Sequence, residues 1–72
     1  MNKILDVRGI ASCTQQIAQT KKILRSMSAG EILTVQFLHE LTLIDFKTLC
    51  HTRYTLLDMT ACDGFYEIKI LL

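Results

Sequence analysis

The chain has 72 residues, enough for one domain spanning 1–72, and half of them are apolar, which suffices for a core without covalent staples. Eight basic and seven acidic side chains leave a net charge of +1, and no basic cluster exceeds the pair Lys21-Lys22, which argues against nucleic acid or a membrane as partner. Three cysteines at 13, 50 and 62 fit neither a disulfide framework nor a zinc spacing, and no apolar run resembles a signal core or a membrane span; the expected setting is cytoplasmic and reducing, with free thiols, no metal and no cofactor.

Residues 4–7 form a short apolar run that ends at Arg8-Gly9 and reads as a first strand. Ser12 followed by Gln15 three residues on has the form of a capping box, which makes Cys13 the first helical residue. From 13 to 28, Ile17, Ile23, Leu24 and Met27, with Ala18 and Thr20, recur at helical spacing. Gln15, Gln16, Gln19, Lys21, Lys22, Arg25 and Ser26 cover the other side, and Ala29-Gly30 stops the helix. Residues 31–38 are almost continuously apolar, as in a strand buried in a sheet, so the first half reads as a parallel βαβ unit with a right-handed crossover.

From 39 to 51 the residues Leu41, Leu43, Ile44, Phe46, Leu49 and Cys50 suit a second amphipathic helix, weakened by Thr42 and Thr48. Residues 54–62 alternate as a strand with Leu57, Met59 and Ala61 on one face. Asp63-Gly64 is a two-residue hairpin signal, and 65–72 return with Tyr66, Ile68 and Ile70 on one side and Glu67 and Lys69 on the other. The order βαβαββ implies an α+β two-layer sandwich, a four-stranded mixed sheet covered on one face by two helices. Its expected core is Ile17, Leu24, Met27, Val35, Ile44, Leu57, Ile68 and Ile70. The uncovered face, with Leu56, Phe65 and Leu71, is a candidate contact surface.

The stretch of chemical interest is the junction before the first helix. A helix start presents unpaired N–H groups and the positive end of the helix dipole, and a cysteine there is biased toward the nucleophilic thiolate. From the residues alone Cys13 reads equally as a reactive thiol or as a small buried apolar residue. Arg8, at the end of the preceding strand, is the cation expected near it. Lys22 lies roughly 13 Å along the helix and reads as surface charge. Cys50 falls in the apolar stripe of the second helix and reads as core, and Cys62 as a strand residue without chemistry. His51 reads as a helix-end charge and His39 as a loop residue. There is no Ser/His/Asp set and no phosphate loop.

The chain resembles the TusA/SirA/YedF family of small sulfur-carrier proteins, whose pattern is Leu-Asp-x-x-Gly-Leu-x-Cys-Pro-x-Pro, a helix, then Met-x-x-Gly-Glu. Leu5-Asp6-Val7-Arg8-Gly9-Ile10 stands for the start and Cys13 for the cysteine, and Lys22, Met27, Gly30 and Glu31 keep the family's spacing from it. Asp45, Cys50 and Asp63-Gly64 also fall in register. The resemblance implies the same fold and a cytoplasmic sulfurtransferase-like carrier rather than a turnover enzyme. In that family the cysteine takes a sulfane sulfur from a protein donor of the cysteine desulfurase or rhodanese type. It holds the sulfur as a persulfide and passes it to a protein acceptor, feeding tRNA thiolation, molybdenum-cofactor assembly or sulfur oxidation. Two departures fall on the motif itself. One extra residue precedes Cys13, and Cys13-Thr14-Gln15-Gln16 stands where the family has Cys-Pro-x-Pro. They support a second reading, an interaction or regulatory module of the same fold without sulfur transfer. They also suggest that the Ser12/Gln15 box replaces the prolines in fixing the helix start.

Overall fold

The computed structural model describes residues 2–40 and 42–72, the side chains of Thr52 and Arg53 apart. Its elements run β1 (Lys3–Asp6), α1 (Cys13–Ser26), β2 (Ile32–Phe37), α2 (Thr42–Arg53), β3 (Thr55–Ala61) and β4 (Tyr66–Leu71). The four strands make one mixed sheet in the order β1-β2-β4-β3. β1 lies parallel to β2, with Leu5 beside Val35, and β4 lies antiparallel to both β2 and β3, with Ile68 opposite Val35 and Met59.

This topology fixes the direction of the helices. β2 and β3 are both antiparallel to β4 and therefore parallel to each other, so α1 and α2 are each the return leg of a parallel crossover. Both helices run back against β1, β2 and β3. Their N-termini consequently meet at the edge of the sheet where β1 and β2 end.

Packing follows from periodicity. Leu33, Val35 and Phe37 on β2 and Ile68 and Ile70 on β4 are buried on one sheet face beneath Leu24 of α1 and Phe46 and Cys50 of α2, with Val7 completing the cluster. Phe37 sits at its centre, its ring 5.0 Å from that of Phe46 and 5.7 Å from that of Tyr66. Each helix buries a ridge of four-residue spacing: Gln16, Thr20 and Leu24 on α1, and Thr42, Phe46 and Cys50 on α2. In both ridges the polar members stand at the N-terminal end.

Several expected positions shift. Of the expected core, Leu24, Val35, Ile68 and Ile70 are buried, while Ile17 and Met27 pack half-buried against it. Ile44 is 63% exposed, because two residues from either Thr42 or Phe46 is about 200° round the helix, on the opposite side. Leu57 is exposed because the pairing of β3 slips between Leu56 and Asp58. Leu56 then stands opposite Ile70 and packs on the core, not on the open face, while Met59 shares the face of Ile68 yet stays largely exposed on the edge strand. On α1 the roles of Gln16 and Ala18 are exchanged, the amide being buried and the alanine exposed. Leu41 lies outside the described residues.

Boundaries move by a few residues. α1 ends at Ser26, where Met27 turns extended and its N–H returns to the Leu24 carbonyl at 3.2 Å. Gly30 (φ +88°) and Gly64 (φ +84°) take the left-handed backbone that their turns require. α2 starts at Thr42, three residues later than its stripe suggests, where the N–H groups of Thr42 and Leu43 reach His39 and Glu40 carbonyls at 3.0 Å.

Candidate functional site

The loop from β1 to α1 is tied at several points. Val7 continues the sheet, its N–H donating to the Gln36 carbonyl at 2.9 Å, and the Ile10 N–H turns back to the Val7 carbonyl at 3.0 Å. Between them Arg8 grips Asp6: its backbone N–H and Nε both donate to Oδ1, and Nη2 donates to Oδ2, each at 2.9 Å. The fork of donors holds the Asp6 carboxyl at a pKa of about 2 and raises that of the guanidinium in turn. The same guanidinium lies 4.7 Å from the centre of the Phe65 ring. Arg8 is thus engaged by Asp6 and Phe65, and no hydrogen bond joins it to Cys13 among the described residues.

The helix start is built by Ser12 and Gln16. Ser12 has extended backbone (φ −90°, ψ 125°), and its Oγ accepts from the Gln15 N–H at 3.4 Å, while its carbonyl accepts from the Gln16 N–H at 3.0 Å. The return half of the capping box is absent: the Gln15 side chain makes no bond to Ser12 among the described residues. Its place is taken by Gln16, whose Nε2 donates to the Ile10 carbonyl at 2.6 Å and ties the loop to the first turn. Gln16 is 1% exposed, and its Oε1 has no partner among the described residues. Thr20 Oγ1 donates to the Gln16 carbonyl at 2.8 Å one turn on.

Cys13 is accordingly the first residue of α1, half-buried, with its Sγ 3.3 Å from Thr42 Oγ1. Thr42 is fully buried and opens α2. The N–H groups of Cys13 and Thr14 have no partner among the described residues, as expected of a first helical turn. Thr14 also begins an open groove of about 650 Å³ between the helices, whose lining includes Ile17, Lys21, Asp45, Leu49 and Tyr54.

The other cysteines stand apart. All three are free. Cys50 is 4% exposed in the core, as its stripe position suggests, and burial pushes its thiol pKa up. Cys62 lies just past β3, where its N–H closes the hairpin on the Phe65 carbonyl at 2.8 Å. Lys22, His39 and His51 are exposed. Sequence reasoning missed Gln16 and Thr42, and the signal for both was the four-residue ridge rather than hydropathy. Among the described residues no group of three His, Cys, Asp or Glu side chains could hold a metal ion, and no helix is long and apolar enough to cross a membrane. No protein-family model and no curated protein matches the chain.

Proposed function

We propose that the protein is a cytoplasmic sulfur carrier that holds a persulfide on Cys13 and passes it between protein partners. The observation that carries this reading is the placement of Cys13. Of three free thiols it is the one that combines a helix start with partial exposure. The motif resemblance around Gly9, Cys13 and Gly30-Glu31 points the same way.

The chemistry is a pair of sulfur exchanges. The Cys13 thiolate attacks the outer sulfur of a donor cysteine persulfide; a new S–S bond forms on Cys13, the donor's S–S bond breaks, and the donor leaves as a thiolate. In the second exchange an acceptor thiolate attacks the outer sulfur on Cys13, whose Sγ then leaves as the thiolate. No net oxidation takes place in either step.

Incubating the protein with a cysteine desulfurase and cysteine tests this directly. Intact mass should rise by one sulfur atom, return on reduction, and stay unchanged in Cys13→Ser. No added sulfur, or sulfur that persists in Cys13→Ser, overturns the carrier reading and leaves the interaction-module reading in its place.

A further inference from the structure

We infer that Thr42 is a second catalytic group at this site, a buried hydroxyl that α2 holds against the reacting sulfur of Cys13. Its catalytic meaning rests on the carrier reading, but its hold on the sulfur does not. The argument starts from satisfaction of a buried polar group. Thr42 is fully buried, and among the described residues its side chain has one hydrogen-bond contact, with Cys13 Sγ at 3.3 Å. Either atom of that contact can be the donor while the sulfur is a neutral thiol, and only the hydroxyl can donate once it is a thiolate. A neutral thiol is a weak acceptor and a thiolate a strong one, so the hydroxyl is best satisfied when the sulfur is anionic.

Topology supplies the second part. The two parallel crossovers bring the N-termini of α1 and α2 to the same edge of the sheet, and the first residues of the two helices are the pair in contact. The sulfur thus stands at the positive ends of two helix dipoles instead of one. The four-residue ridge explains why α2 offers a hydroxyl there. Thr42 stands one turn before Phe46 and two before Cys50, on the face that packs inward, so its side chain is fixed by burial.

The role spans both exchanges. Sγ is the attacking atom when sulfur is taken up and the leaving atom when it is handed on, and it carries or develops negative charge in each. One hydroxyl donor fixed beside it serves the two steps without moving. A donor held on the sulfur stabilises the charge that Sγ carries or develops and improves its leaving ability, while it tempers the nucleophilicity of the thiolate, so the effect on uptake is partly offset and the effect on release is not.

The test compares Thr42→Val, which keeps the shape and removes the hydroxyl, with Thr42→Ser, which keeps the hydroxyl. Alkylation of Cys13 by iodoacetamide at fixed neutral pH is followed by peptide mapping, with folding checked by thermal melting. Cys13 in Thr42→Val should react about threefold to tenfold more slowly than in the parent, and Thr42→Ser should recover to within about twofold. An unchanged rate in Thr42→Val overturns the inference, and so does Thr42→Ser as slow as Thr42→Val, which would assign the effect to the lost methyl. Release of sulfur from the Cys13 persulfide to dithiothreitol should slow at least as much in Thr42→Val. Equal release rates in folded parent and valine variant overturn the catalytic role while leaving the carrier reading intact. If no variant, the parent included, takes up sulfur while alkylation still separates valine from serine, the carrier reading fails and Thr42's hold on the sulfur stands.

Discussion

Cys13 and Cys50 belong to two helices that pack on the same sheet face, and they differ in almost every chemical respect. Cys13 opens α1, half-exposed, with open N–H groups beside it and a hydroxyl on its sulfur. Cys50 sits two turns into α2, 4% exposed in the same apolar cluster as Phe37 and Phe46, where burial raises its thiol pKa. Membership of a helix thus says little about a cysteine, and position along it says a good deal. A first turn has donors to spare and water in reach, whereas an inner turn has spent its donors and, on the packed face, its water.

The sharpest way to break that contrast is competitive labelling. Cys50 reacts only when α2 opens, so Cys13 should label faster by about a hundredfold or more, with Cys62 between them. Peptide mapping after a short pulse reads the ratio. Comparable rates for Cys13 and Cys50 would mean that the inner turn of α2 is not closed, and the contrast would collapse.

Stability should show the opposite ranking. Cys50→Ser places a hydroxyl in an apolar cluster and should cost about 1–3 kcal/mol. Cys13→Ser, at the half-exposed helix start, should stay within about 0.5 kcal/mol of the parent. Urea unfolding of both variants checks the pair. A larger loss for Cys13→Ser would make Cys13 a packing residue first and a reactive thiol second.

A smaller effect tests how the Cys13 end is held. Ser12 caps α1 through a 3.4 Å contact to the Gln15 N–H, at the long end for such bonds. Ser12→Ala should therefore cost about 0.5–1 kcal/mol and slow Cys13 labelling modestly without changing that of Cys50. If neither stability nor labelling moves, the tie from Gln16 to the Ile10 carbonyl holds the helix start by itself.

What could be read from the sequence divides along the same line. Element order, the start of α1 at Cys13 and the turns at Gly30 and Gly64 were legible, because caps, glycines and periodicity act locally. The core position of Cys50 was legible as part of an apolar stripe. The partners of Cys13 were not. Thr42 and Gln16 are polar by type and read as surface or as weak helix formers, yet tertiary packing buries both. Arg8 reads as the cation near Cys13 from its place in the sequence, and the structure adds a partner that spacing does not announce, the carboxylate of Asp6 two residues away in a bidentate grip. Leu57 was lost to a bulge that leaves no mark in the hydrophobic pattern.

The smallest expected effect belongs to that Asp6–Arg8 pair, which stands at the Cys13 end and away from Cys50. Both side chains are exposed, so solvent screens their attraction and the contribution is modest. Its sign is fixed. Asp6 has a pKa of about 2 in the folded chain against an ordinary 3.8, so the folded state holds the ionised form more strongly than the unfolded chain does. The stability it contributes is fully present above about pH 4 and is lost as pH falls through about 2. Asp6→Asn removes the group that titrates and leaves the rest of the loop in place. The difference in urea midpoint between parent and Asp6→Asn should therefore be greatest at pH 5 and shrink steadily toward pH 2. The stacking of Arg8 on Phe65 does not titrate in this range and should survive in both proteins, keeping the loop closed. A difference that stayed constant from pH 5 to pH 2 would mean that Asp6 acts through its shape and not its charge. One that grew would mean that ionised Asp6 destabilises the fold, which the bidentate geometry argues against.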